Sequence, residues 1–109
     1  MRNEEQLHII TEILREECRR QSYTIKKLLL FGSRATGNEK TYSEWDFLLV
    51  IEETLTRNAR MSLWLPMDTS LSRLGIAADI IIKSESDYQR DRVDIGKATY
   101  YAEKTGVAV

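Results

Sequence analysis

Leu28-Leu29-Leu30-Phe31-Gly32-Ser33-Arg34-Ala35 and, after a short spacer, Ser43-Glu44-Trp45-Asp46-Phe47-Leu48-Leu49-Val50 decide how this chain folds. The first stretch continues an apolar run, Ile25 to Phe31, that reads as a buried strand ended by Gly32-Ser33. A short helical turn over Ser33 to Thr36 follows, stopped by Gly37-Asn38. The second stretch, Trp45 to Ile51, is rich in β-formers and reads as another strand. Side chains alternate between faces on a strand, so Glu44 and Asp46 point the same way, followed on that face by Leu48 and Val50. Trp45, Phe47, Leu49 and Ile51 line the other face. Both faces are apolar, as on a central strand, and two carboxylates there must be hydrated, paired or bound to metal.

A third run, Ala77 to Lys83, is also a strand and carries the same anomaly, Asp79 within Ala77-Ala78-Asp79-Ile80-Ile81-Ile82. Any one of these acids alone is accounted for as a solvated strand-end residue or half of an ion pair. Three in such contexts are better explained by convergence. Neighbouring carboxylates raise one another's pKa, a divalent cation removes that cost, and an all-oxygen donor set selects Mg²⁺ or Mn²⁺. Gly32-Ser33, between a strand and a helical turn, offers backbone N–H groups as a seat for phosphate, with Arg34 adding positive charge. Gly32-Ser33-Arg34-Ala35-Thr36-Gly37 begins like a P-loop. Asn38-Glu39 then stand where that motif needs Lys-Ser/Thr, so the P-loop reading fails.

Outward from these strands the pattern is helical. Leu7, Ile10, Leu14 and Cys18 recur at helical spacing within Asn3 to Gln21. Thr54 or Thr56 caps a helix running to Leu74 with the stripe Ala59, Leu63, Met67, Leu71 and Leu74, and Gly75 ends it. Pro66 is expected to kink that helix, because the stripe keeps its phase across it. Ser84-Glu85-Ser86-Asp87 reads as a capping box, and a last helix is expected from Asp91 to Lys104, closed by Gly106. The expected architecture is α/β (α+β), a small mixed sheet flanked by helices, in one domain spanning 1–109.

Sixteen Lys and Arg balance seventeen Asp and Glu, so no strong field recruits nucleic acid or an anionic membrane. Cys18 is the only cysteine, which excludes an intrachain disulfide and a cysteine zinc site, and its place in a helical stripe makes it a small buried residue rather than a nucleophile. His8 has no second ligand type beside it and reads as a surface or half-buried residue. No signal-peptide pattern opens the sequence, and no apolar stretch approaches the roughly 20 residues needed to span a bilayer. A cytoplasmic, soluble protein is expected.

Gly32-Ser33, ten residues from Arg34 to Ser43, then Glu44-Trp45-Asp46, with a later acid Asp79, resembles the signature of the DNA polymerase β nucleotidyltransferase superfamily. The flanking residues quoted above are similar too, and Tyr100-Tyr101-Ala102-Glu103-Lys104-Thr105-Gly106-Val107 resembles the close of its minimal, stand-alone members. The first acid of the pair is usually Asp, and Glu44 stands there in this chain. The resemblance implies a polymerase β-like fold and a nucleotidyltransferase using Mg²⁺ or Mn²⁺ on Glu44, Asp46 and Asp79, with ATP held at Gly32, Ser33 and Arg34. Many minimal members act as antitoxins paired with HEPN toxins, some by adenylylating the toxin on tyrosine. A HEPN-family partner is therefore implied, while the oligomeric state is left open. Two alternatives stand beside this reading. One is a binding module that neutralises a partner by masking. The other is nucleotidyl transfer to a small molecule, which the absence of a second domain disfavours.

Overall fold

In a computed structural model that describes residues 2–109, the chain forms a four-stranded mixed sheet with helices on both faces. The strands are β1 (Ile25–Phe31), β2 (Trp45–Ile51), β3 (Ala78–Ser84) and β4 (Val107–Ala108), arranged β3-β2-β1-β4. β1 pairs antiparallel with β2 and with β4, and β2 pairs parallel with β3. The parallel pair is the one joined by a long helix, as a parallel connection requires. The helices are α1 (Asn3–Arg20), α2 (Ser33–Thr36), α3 (Arg57–Arg73), α4 (Glu85–Asp91) and α5 (Ala98–Thr105). This is the small mixed sheet flanked by helices expected from the sequence. Among the described residues no helix is long and apolar enough to cross a membrane.

The alternation on β2 divides the core in two. Trp45, Phe47, Leu49 and Ile51 face α1 and α3, meeting Ile10, Leu14 and Cys18 from one and Leu63, Met67 and Leu71 from the other. Leu48 and Val50 face the opposite way, with Leu29, Tyr88 and Ala102. Thr56 caps α3 by accepting from the Ala59 N–H at 3.1 Å, and Ser84 caps α4 by accepting from the Asp87 N–H at 3.4 Å.

Two expectations change. Helix α3 runs unbroken from Arg57 to Arg73 with Pro66 inside it, but Leu74, the expected end of its stripe, is exposed beyond the last turn. The helix expected from Asp91 to Lys104 is instead the end of α4, a turn, and α5. Asp91 is held by Lys83 and Arg90, and the Asp94 carboxylate accepts from the Gly96 N–H at 3.0 Å, an Asx turn that competes with helix. Gly106 closes α5, as expected. Val107 and Ala108 add a short edge strand to β1, too brief to carry a sequence signal.

Candidate active site

Register brings the acids together. Asp46 on β2 lies directly opposite Asp79 on β3, and neighbouring residues of parallel strands put their side chains on the same face. Glu44 stands immediately before β2, two residues from Asp46. Burial first, then the charges of Asp79 and Glu44, push the Asp46 carboxyl above its usual range. Glu44 and Asp79 are exposed and Asp46 is half-buried. Among the described residues, none of the three has an ion-pair or side-chain hydrogen-bond partner. They form a negative cluster that the protein itself does not neutralise.

Gly32 closes the cluster on the side of β1. It follows Phe31, whose partner across β1–β2 is Asp46. Its backbone is left-handed, at φ 75°, and a Cβ at this position would lie 2.3 Å from the Asp46 Oδ2. No other residue fits here, for both the dihedral and the contact. The Ala35 and Thr36 amides bond back to the Gly32 carbonyl, at 3.1 and 3.3 Å. The Ser33 and Arg34 amides, at the first positions of α2, have no intrahelical acceptor. They start from the same point at which Gly32 touches Asp46.

Arg34 goes elsewhere. Its guanidinium lies 4.3 Å from the Trp45 ring centroid, Nε donates to the Ser43 carbonyl at 3.0 Å, and a terminal nitrogen donates to Asn3 Oδ1 at 3.3 Å. Trp45 lies on the α1 side, where its indole N–H donates to Gln6 at 3.0 Å. Arg34 is thus committed to the sheet face opposite the acids, where it braces the loop before β2. In this position its guanidinium is held by cation–π stacking and donor contacts on that face and does not reach the acids.

A metal site is also not ready-made. Among the described residues, no group of three or more His, Cys, Asp or Glu side chains is arranged as a cage. The donor set still fits a hard divalent cation, since it is all oxygen and uncompensated, and burial together with the charges of Asp79 and Glu44 raises the pKa of Asp46.

The rest of this face carries polar residues that the sequence did not single out. Lys83, four residues beyond Asp79 on the same strand and face, bonds Asp91 at 2.7 Å, and Arg90 reaches the same carboxylate at 2.9 Å. Lys27 donates to the Tyr88 hydroxyl at 2.8 Å and pairs with Glu103 at 3.3 Å, while Tyr88 donates to Glu103. These networks pin α4 and α5 over the far end of the face and leave the end bearing Asp46 and Asp79 open. Strand alternation alone would have found Lys83, since it shares parity with Asp79.

A protein-family model described as polymerase beta, nucleotidyltransferase matches residues 8–98. No curated protein matches the sequence. Among solved structures, the chain is similar to one described as the crystal structure of a toxin-antitoxin with AMP-PNP. The TM-score is 0.57 at 18% identity, over 89% of this chain and 69% of that one, which is a likeness of fold. The family match covers most of the chain and contains Gly32, Ser33, Glu44, Asp46 and Asp79, so the protein belongs to the polymerase β nucleotidyltransferase family.

Proposed function

We propose that the chain is an antitoxin that transfers AMP from ATP to a hydroxyl group, most simply a tyrosine, of a partner toxin of the HEPN type. The observation that carries this is the crowding of Asp46 by Asp79 and Glu44 against the Gly32–Ser33 turn, with no ion pair among the described residues to relieve it. Glu44, Asp46 and Asp79 would hold Mg²⁺ or Mn²⁺, which supplies charge neutralisation of the triphosphate and of the leaving pyrophosphate. The amides beginning at Gly32–Ser33 bind phosphate oxygens. The Asp79 carboxylate, exposed at the edge of the cluster, accepts the proton of the acceptor hydroxyl. That oxygen forms a bond to the α-phosphorus, the α–β bridging bond breaks, and pyrophosphate departs with its electron pair. Positioning and electrostatics do most of the work.

The test is transfer of labelled AMP to the co-expressed partner. Asp46→Asn keeps the shape and removes the charge, so transfer should fall by at least about 100-fold. Chelation should likewise weaken ATP binding in a calorimetric titration. A second reading is masking of the partner without chemistry, favoured by Arg34 facing away from the acids. Equal neutralisation by the wild type and Asp46→Asn, with no label on the partner, establishes masking and removes the enzyme reading.

A further inference from the structure

On the sheet face away from the acids, α3 leaves a groove of about 420 Å³ beside the open edge strand β3. Ile80 and Ile82 form its floor, and Arg57, Arg60, Met61 and Trp64 form its wall. Those four α3 residues are spaced i, i+3, i+4 and i+7, a single helix face. It is a second face, distinct from the stripe Leu63, Met67 and Leu71 that α3 buries in the core. Met61 is 54% exposed although it faces apolar neighbours. Among the described residues, neither Arg57 nor Arg60 takes part in an ion pair, although most other arginines of the chain do. An apolar floor rimmed by two uncompensated guanidiniums is a complementary surface for a ligand that is apolar on one side and acidic at its margin.

The layer on this face consists of α1 and α3 lying side by side, and Ile80 and Ile82 of β3 are already buried beneath it, so the accessible apolar surface of the groove is that of Met61 and Trp64. A further helix packed at the usual interaxial distance of about 8–10 Å from α3 would rest on Met61 and Trp64. We infer that the α3–β3 groove docks an amphipathic helix of a partner protein, with apolar residues at i, i+3/i+4 and i+7 on Met61 and Trp64, and Glu or Asp at its flank against Arg57 and Arg60. This names the chemistry by which the acceptor protein proposed above is held, and its biological purpose rests on that reading. The groove lies on the back of β3. Ile80 directly follows Asp79 on β3, and strand alternation turns the two side chains to opposite faces of the sheet. A docked helix therefore leaves the acid cluster open.

The probe is a synthetic amphipathic helical peptide of about 16 residues, with Leu at the four apolar positions and Glu flanking them, labelled for fluorescence anisotropy against the full chain without nucleotide. A twin peptide carries Lys in place of every Glu. The Glu peptide should bind at micromolar concentration and the Lys peptide at least tenfold more weakly. Arg57→Glu with Arg60→Glu, both at the rim, should reverse that preference. Met61→Glu should abolish binding of both peptides. Because these three positions are outside the core, circular dichroism of each variant should match the wild type. ATP affinity should be unchanged in all of them, so loss of docking is separable from failure of the nucleotide site. No binding of the Glu peptide, or binding indifferent to the Arg57 and Arg60 exchange, overturns the inference. So does self-association of the chain that Met61→Glu disrupts, since the occupant would then be a second copy.

Discussion

The two faces of the sheet are built by different physics. Toward α1 and α3 the sheet presents Trp45, Phe47, Leu49 and Ile51, all buried, and the contact is made by close-packed side chains. Toward α4 and α5 the apolar cluster is small, and ion pairs complete it, with Lys83–Asp91–Arg90 at one place and Lys27–Tyr88–Glu103 at another. An apolar face needs no partner for each atom, so it can be continuous. A face that must present acids to solvent cannot be covered throughout, and its helices are fastened at one end by charge pairs. The burial that holds the fold and the exposure that chemistry requires are thereby assigned to opposite sides of one strand, β2.

That division can be broken most severely on the packed side. Phe47 is 0% exposed between α1 and α3. Phe47→Ala should cost about 4 kcal/mol, read from urea unfolding. A loss below about 1 kcal/mol would mean that this face is not the principal core.

On the latched side the test is a charge. Arg90 first, then Lys83, hold the Asp91 carboxyl well below the usual carboxylate range. Its side chain is only 4% exposed, and Lys83 is 18% exposed. Asp91→Ala leaves the Lys83 ammonium partly buried without its partner and should cost about 3 kcal/mol at neutral pH, with Lys83→Met in the same chain recovering part of it. The folded pKa is depressed, so this stabilisation is fully present above the unfolded value of about 3.9 and is lost as the pH falls below it. The variant and the wild type should therefore converge in stability in acid. A difference that persists at low pH would show that Asp91 acts through packing rather than charge.

The smallest effect has the opposite sign. Asp46 is raised in pKa by burial, by Asp79 and by Glu44, so its ionised form is unfavourable in the fold. Asp46→Asn should stabilise the free protein at neutral pH by a modest amount, under about 1 kcal/mol, while removing transfer. A raised folded pKa makes the wild type lose stability as the pH rises from the unfolded value through the folded one. The gain from Asp46→Asn should then appear only above about pH 4. Destabilisation of the free protein by this substitution would mean that Asp46 has a partner which the acid cluster does not reveal.

Much of the molecule is legible in local pattern. The parity of β2 alone separates Asp46 and Leu48 from Phe47 and Leu49, because alternation is a property of the extended backbone and needs no tertiary contact. The caps at Thr56 and Ser84 are legible for a similar reason, since each hydroxyl bonds an amide three residues away. Helix α3 runs through Pro66 without breaking, because packing of Leu63, Met67 and Leu71 against the sheet holds both sides of the proline in one helix. The break between α4 and α5 escapes local pattern because Asp91 looks like a helix-starting acid and becomes a helix-ending one only when Lys83 reaches it from β3.

The sequence by itself determined the three long strands, the order of the helices around them, the faces of β2 and the identity of the acids, since all of these follow from periodicity and from the cost of placing carboxylates in apolar runs. Only the tertiary structure decided that β3 lies parallel to β2 with Asp79 in register with Asp46, that Gly32 closes on the Asp46 carboxylate, and that Arg34 stacks on Trp45 on the opposite face. Register between distant strands is set by how the connecting helix packs, and a long cationic side chain has several partners within reach. Its choice among them depends on contacts that exist only once the chain has closed on itself.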